Sequence, residues 1–456
     1  MMKKIVTMLA VVAMVCVSSM AFAVDVNVGG DGSGLEPRVG ARSISHAVDV
    51  TVGGSVDIRS RNFRDLDLNK NAGDGQVDTQ ERVRLDVNVK AGDVKGKITI
   101  ENDWDTLGRF ETVQGTTTVA TGATNTTTGA VSTGKASRLG VREAWMLFRV
   151  PNMPFAIKGG HMFLQLGNGW WFRSNKYGSD AWVAISELDK LHLALFDVKV
   201  SEGVTSRSDD IDAYGIVATL QATETMKFGV DLTMANDRKN GLGFGGASTK
   251  ETQAQNLGLN FNGKAGPVDL KAEIDVQMGK AKGNDAKFKG NQIVVQGGVQ
   301  LEPVTINFTV ARGSGAKTTD TDYKEMITFL DADPHYTLLY EYKIGNPSCA
   351  SPSNPTGLNT GFCNTTALSG GAMFAATKNL SIGGDLWILQ ATEKVADVTS
   401  TTGGTTNELG MEVDVKINWK LYDNLTWNWT LGYLDPGKGL GKDPATGAQG
   451  VLSMKF

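Results

Sequence analysis

The sequence predicts an all-β chain folded as a transmembrane antiparallel β-barrel of about 18 strands, with short periplasmic turns and long extracellular loops. Three observations predict it. The chain opens with an export signal, runs of about ten residues alternate strictly between apolar and polar, and the connections between those runs are alternately short and long.

The export signal comes first. Lys3 and Lys4 form a basic start, residues 5–17 an apolar core, and Ala21-Phe22-Ala23 a small-x-small site for cleavage after Ala23. Cys16 lies inside this segment, and Ala13-Met14-Val15 before it lacks the small residue of a lipoprotein signal. The chain therefore divides into a signal peptide (1–23), an N-terminal periplasmic segment (24–46) and a barrel (47–456) with its longest loop at 313–366. Beyond the signal no apolar run approaches the roughly 18 residues of a spanning helix, so any membrane crossing is made by strands.

The strands follow in order. Residues 82–90 set Val83, Leu85, Val87 and Val89 against Arg82, Arg84, Asp86, Asn88 and Lys90. Residues 268–278 set Val268, Leu270, Ala272, Ile274, Val276 and Met278 against Asp269, Lys271, Glu273, Asp275 and Gln277. Residues 411–421 place Glu412, Asp414, Lys416, Asn418 and Lys420 opposite an apolar face, and 424–434 (NLTWNWTLGYL) repeat the pattern. A soluble sandwich also alternates. The export signal, and aromatic residues at strand ends (Trp104, Trp419, Tyr433) read as interfacial girdles, favour a closed barrel, the only sheet without unpaired edges in lipid.

Connections set the count. Short ones stand at 91–93, 151–154, 188–190, 223–225, 263–266, 302, 377–379 and 422–424. Long polar or Gly/Thr-rich ones stand at 62–76, 105–137, 167–179, 201–210, 236–253, 280–290, 313–366, 392–408 and 435–447. This gives about 18 strands with both ends in the periplasm, provided that 337–343 belongs to the longest loop; 16 strands is the fallback. Composition agrees: 55 glycines against 11 prolines in 456 residues, 41% hydrophobic, 21% charged. A net charge of -4 removes the electrostatic case for nucleic acid.

The chain ends Leu452, Met454, Phe456, alternate apolar positions with a terminal aromatic, which resembles the C-terminal assembly signal of bacterial outer-membrane proteins. Other motifs carry a wider resemblance. Arg59-Ser60-Arg61-Asn62-Phe63 ends the first strand before Asp65-Leu66-Asp67-Leu68-Asn69, Asp78-Thr79-Gln80-Glu81-Arg82-Val83-Arg84-Leu85 opens the second, and Arg142-Glu143-Ala144-Trp145 the fourth. In these the chain resembles general porins, more narrowly those of anaerobic, metal-reducing bacteria, and at a distance the alginate-export-like barrels. The resemblance implies the cell outer membrane, contact with its lipid and lipopolysaccharide and with the outer-membrane assembly machinery, passage of small hydrophilic solutes, no cofactor, and the homotrimer usual among porins.

If the apolar face meets lipid, the other lines water. Arg59, Arg61, Arg82, Arg84 and Lys90 then form a basic wall with Asp57 and Asp86 among them, and Asp269, Glu273 and Asp275 an acidic wall half the circumference away. Two readings stand open: a transverse field that selects ions, or arginines merely paired with neighbouring carboxylates. Asp67, Asn69, Asn71, Asp74 and Asp78 are spaced somewhat like a calcium loop, but Ala72 stands where the glycine belongs and Asp78 replaces the bidentate Glu, so no metal site is expected. Cys349 and Cys363, the only cysteines after the signal, are expected to form a disulfide closing a surface loop. Trp170-Trp171-Phe172 read as interfacial aromatics or a sugar-stacking platform. His46, His161, His192 and His335 sit in no Ser- or Asp-bearing motif, Gly29–Gly34 lacks the Lys-Ser/Thr of a phosphate loop, and no Cys-x-x-Cys-His occurs, so neither an enzyme nor covalent haem is expected. The functional reading is a porin for passive diffusion. The alternatives are a selective channel or exporter for sugars or acidic polysaccharide, and a sheath for a periplasmic electron carrier.

Overall fold

The computed structural model describes residues 48–70, 75–106, 139–174, 178–202, 209–238, 250–330, 335–346, 349 and 360–456. The signal peptide, the N-terminal segment, His46, Asn71 and Asp74 lie outside them.

Eighteen antiparallel strands form one sheet. In chain order they are β1 (Val48–Arg64), β2 (Gln76–Ala91), β3 (Val94–Thr106), β4 (Leu139–Arg149), β5 (Phe155–Met162) and β6 (Ser179–Leu188). Then come β7 (Leu191–Ser201), β8 (Ile211–Thr223), β9 (Met226–Asp237), β10 (Thr252–Ala265), β11 (Val268–Ala281) and β12 (Asn291–Leu301). The last six are β13 (Val304–Gly313), β14 (Thr365–Thr377), β15 (Leu380–Ala396), β16 (Thr405–Tyr422), β17 (Leu425–Pro436) and β18 (Ala445–Lys455). Each strand pairs with its sequence neighbours, and β18 pairs with β1 from Ser55↔Lys455 to Arg64↔Thr446, which closes the barrel. Gly54 and Phe456 exchange both backbone bonds at the seam (2.9 and 3.1 Å). Closure leaves no edge, as lipid requires.

All eight short connections fall where the sequence puts them, at one end of the barrel. They need compact turns: Gly92, Asn152 and Asp189 all take positive φ, and Gly92 does so with nothing near its absent Cβ, so conformation alone selects it. Long loops fill the other end. Strands β15 and β16 run further than the pattern suggests, so the predicted 392–408 loop shrinks to residues 397–404. The segment 337–343 lies in the longest loop, not in the wall. Its last residues belong to a single π-helical turn, Tyr340–Ile344, which leaves the count at 18 rather than 16.

Alternation sorts the faces. Outward side chains such as Ile98, Leu195, Val230, Leu259, Val415 and Leu431 form an exposed apolar belt, while Asp57, Arg61, Glu101, Asp275 and Glu412 point inward and are buried. Trp419 and Tyr433 face outward near opposite ends of the wall, as girdle residues do. Trp104 does not; it belongs to the inner face, for the reason given below.

Two loops turn into the barrel. Phe172–Arg173, in loop 163–178, pairs in parallel with Phe329–Leu330 from loop 314–364, and Phe329 N–H donates to Trp171 O at 2.6 Å. Apolar patches of the upper inner wall receive them. Phe196, Val198, Val183 and Ala213 cluster with Trp171, Phe172 and Met326. Trp387, Leu389, Leu409 and Leu434 cluster with Tyr336, Leu339, Tyr340, Phe362 and Trp170. Trp170, Trp171 and Phe172 are therefore core residues, correcting both sequence readings: inner strand ends that turn apolar give these rings a drier site than the interface. Cys349 and Cys363 are joined by a disulfide within the longer loop.

Candidate pore and its constriction

Strands β1–β4 build a ladder of cations on the inner wall, because inward positions two apart on each strand meet those of the next in register. Asp57 stands opposite Arg82, Arg59 opposite Gln80, and Arg61 opposite Asp78. Arg61 binds Asp78 through two bonds (2.8 and 2.6 Å), the planar fork matching the carboxylate. Arg82 binds Asp57 (2.9 Å), which also accepts from Ser453 across the seam (2.6 Å). Arg84 and Arg142 share Glu101. Lys97 binds Glu143 (2.6 Å), which also accepts from Trp145 Nε1 (3.1 Å).

Arg59 departs from this pattern. It donates to Gln80 and to the Tyr342 hydroxyl (3.3 Å), and among the described residues no carboxylate lies within ion-pair reach. Its guanidinium and that of Arg82 both lie over the Trp104 ring, at 4.0 and 4.2 Å. A register shift in β3 between its pairings with Glu81 and Val83 turns Trp104 inward, a bulge that alternation cannot reveal. Lys158 likewise lies over Trp145 (3.9 Å) without a carboxylate partner among the described residues. Tyr342 also receives Arg61 (3.4 Å), and Lys343 beside it donates to Gln76 (3.3 Å) over the Phe63 ring (4.5 Å). Lys90 stands apart, exposed beside the 91–93 turn.

The predicted acidic wall is different. Eight strands lie between β2 and β11 on either side of the barrel, so the two walls do stand opposite, but Glu273 and Asp275 are 1% and 0% exposed. Loop 163–178 covers them. Asn168 N–H donates to Glu273 and Asn168 Nδ2 to Ala272 O (3.0 Å), while Asn256 (2.9 Å) and Gln292 (2.7 Å) donate to Asp275. Only Asp269, beside the 266 turn, stays partly exposed. The acidic side of the expected transverse field is thus buried: Glu273 is taken up by a loop N–H that needs an acceptor, and Asp275 by two side-chain amides of the neighbouring strands. The wall of β1–β4 keeps both signs partly open to solvent, Arg84 (26%) and Arg82 (19%) beside Asp86 (31%) and Asp78 (21%), while Arg61 is buried.

Several site residues escaped the sequence reading. Glu101, Lys158 and Tyr342 carry no local signal, whereas Glu412 and Asp414 repeat the Glu-x-Asp pattern of Glu273 and Asp275 on an inward face. Asp414 accepts from Leu338 N–H (3.2 Å), and Glu412 from Leu339 (2.6 Å) and Tyr340 (2.8 Å). Asp78 serves Arg61 rather than a calcium loop. His161 pairs with Asp180 (2.8 Å) on the outer face at the long-loop end.

Neither a protein-family model nor a curated protein matches the chain. Solved structures do. OccK9 (OpdG) of Pseudomonas aeruginosa superposes with a TM-score of 0.55 at 11% identity over 90% of this chain and 98% of its own. The outer membrane protein OprD of the same organism gives 0.52 at 9% over 89% and 94%, and its OpdK, solved with vanillate, 0.50 at 11% over 89% and 98%. The fold is that of a bacterial outer-membrane porin. A closed barrel with an outward apolar belt is the one sheet architecture that leaves no unpaired edge in lipid. At this identity the likeness carries the porin fold alone.

Proposed function

We propose that the protein is a solute-selective outer-membrane channel that passes small hydrophilic solutes passively and prefers anions. One observation carries this reading: on an arginine-rich inner wall Arg59 is half-buried without a carboxylate partner among the described residues, while Glu273 and Asp275 on the opposite wall are buried. Charged rows at a narrowing decide which ions pass. The two inward loops favour a narrowed, selective pore over a wide one, and with the lumen partly filled by the chain itself they favour small solutes over a protein partner in the barrel. The Arg59 and Arg82 guanidiniums over Trp104, with the Tyr342 hydroxyl nearby, suit a planar anion. OpdK, which shares the fold, was solved with vanillate.

The test is a planar-bilayer recording of the refolded mature protein under a salt gradient. Ohmic steps with a reversal potential on the anion side are expected, and Arg59→Ala with Arg82→Ala shifts that potential toward cations. A folded barrel that stays silent, or a double variant with unchanged reversal potential, ends the reading.

A further inference from the structure

We propose that Glu273 of the inner-wall pair Glu273–Asp275, and both members of the pair Glu412–Asp414, are positioning residues of the pore: they hold the inward loops by backbone N–H groups, and the second pair sets where Tyr342 meets Arg59 and Arg61. The consequence for conduction rests on the channel reading above; the anchoring does not.

The two sites share one design. On β11 and on β16 a glutamate and an aspartate two positions apart project inward around an outward Ile274 or Val413. All four carboxylates are 0–1% exposed, and none has a lysine or arginine within ion-pair distance among the described residues. A buried carboxylate without a cation needs hydrogen-bond donors, and loop amides without strand partners need acceptors. At Glu273, Glu412 and Asp414 each supplies the other, whereas Asp275 takes the side-chain amides of Asn256 and Gln292 on the wall. Glu412 takes two consecutive N–H groups with its two oxygens, and Asp414 takes the preceding one, so three successive amides of the 338–340 segment end on one wall site. At the other site Glu273 takes the Asn168 N–H.

Small residues permit these approaches. Gly167 has φ +54, and a Cβ there would stand 2.5 Å from Glu273 Oε2. A Cβ on Gly432 would stand 3.0 Å from Asp414 Oδ1 and 3.1 Å from the Leu338 side chain. From the Glu412 anchor the chain needs only two residues to bring Tyr342 to Arg59 and Arg61 on β1, three strands further round. These carboxylates therefore act on the pore through the loops they hold, and among the described residues none of them forms an ion pair with the arginine ladder.

The experiment uses the refolded full-length barrel as wild type, Glu412→Gln and Glu273→Gln, with hydrogen exchange and single-channel recording on each. A glutamine keeps the size but offers one acceptor oxygen and no charge. Glu412→Gln is expected to speed exchange of the Leu339 and Tyr340 amides by about tenfold, the scale of a lost charged hydrogen bond. Strand amides and heat-modifiable mobility stay unchanged, while conductance and reversal potential both shift. Glu273→Gln is expected to release Asn168 and leave 338–340 protected. Asp414→Asn, which alters the Leu338 bond and the contact with Glu412 but leaves the Glu412 carboxylate to the Leu339 and Tyr340 amides, is the milder variant should Glu412→Gln not fold. Unchanged exchange in the variants overturns the anchoring. Faster exchange with unchanged conductance and selectivity overturns the role in the pore. A wild-type barrel that does not conduct removes the channel reading, and the exchange data still decide the anchoring by themselves.

Discussion

At the scale of single residues, the lumen is a problem of matching charges where water is scarce. Arg61 and Arg82 each hold a wall carboxylate, so their guanidiniums are largely spoken for, and Arg59 alone among the three leans on neutral partners. Lys343 adds a titratable charge on the loop beside them. Burial, then the guanidiniums of Arg61 and Arg59, push its ammonium down to about 8 against the pull of Asp78. The sign follows. A lowered lysine sheds its proton earlier when folded, so the unfolded chain binds more protons between about 8 and the ordinary value of 10.5, and this group favours folding more as pH rises through that window. For permeation the same shift predicts that anion preference falls between pH 7 and 9 as Lys343 becomes neutral. Reversal potentials across that range check it, and Lys343→Met, already neutral, should show no such fall.

At the scale of elements, each strand carries two solvents on its two faces. Val415 of β16 faces lipid in mid-strand opposite Leu431, whereas Lys416 beside it binds Asp385 inside. Val415→Arg is expected to cost about 2–4 kcal/mol of barrel stability, the range for arginine at the bilayer midplane. Urea titration of the refolded barrel in lipid vesicles measures it, and a cost near zero would place this strand away from the hydrocarbon. Alternation made such faces legible. The eight tight turns were equally plain, since a turn needs few residues and Gly, Asn or Asp among them. Bulges were not: the irregularity in β3 that swings Trp104 from the girdle to the arginines changes no residue type, only the register. Loop destinations were also hidden, because Trp170, Trp171 and Phe172 look alike whether they meet lipid or the inner wall.

At the scale of the whole molecule, the barrel separates its charges. Carboxylates on β9, β11 and β16 are buried, Glu273, Glu412 and Asp414 among them against loop amides, while arginines gather on β1, β2 and β4. A chain with net charge -4 thus presents a basic row to its lumen. Such a field acts over a Debye length, about 30 Å at 0.01 M salt and about 3 Å at 1 M. The anion-to-cation permeability ratio is therefore expected to be highest in dilute salt and to approach unity near 1 M. A ratio independent of salt would assign selectivity to pore size.

The sequence by itself determined the strands, most of their inward and outward faces, the turns and the arginines of β1 and β2, because each is a local consequence of period two and of which side chains lipid accepts; the place of 337–343, and with it 18 rather than 16 crossings, came from the structure. Tertiary structure decided the rest: that residues 164–174, 326–330 and 336–340 pack on the inner wall, that Glu273 serves a loop amide and Asp275 the side chains of Asn256 and Gln292, and that Tyr342 and Trp104 meet Arg59. Those outcomes depend on groups far apart in the chain, such as Tyr342 and Arg59 or Asn168 and Glu273, whose proximity only barrel closure creates.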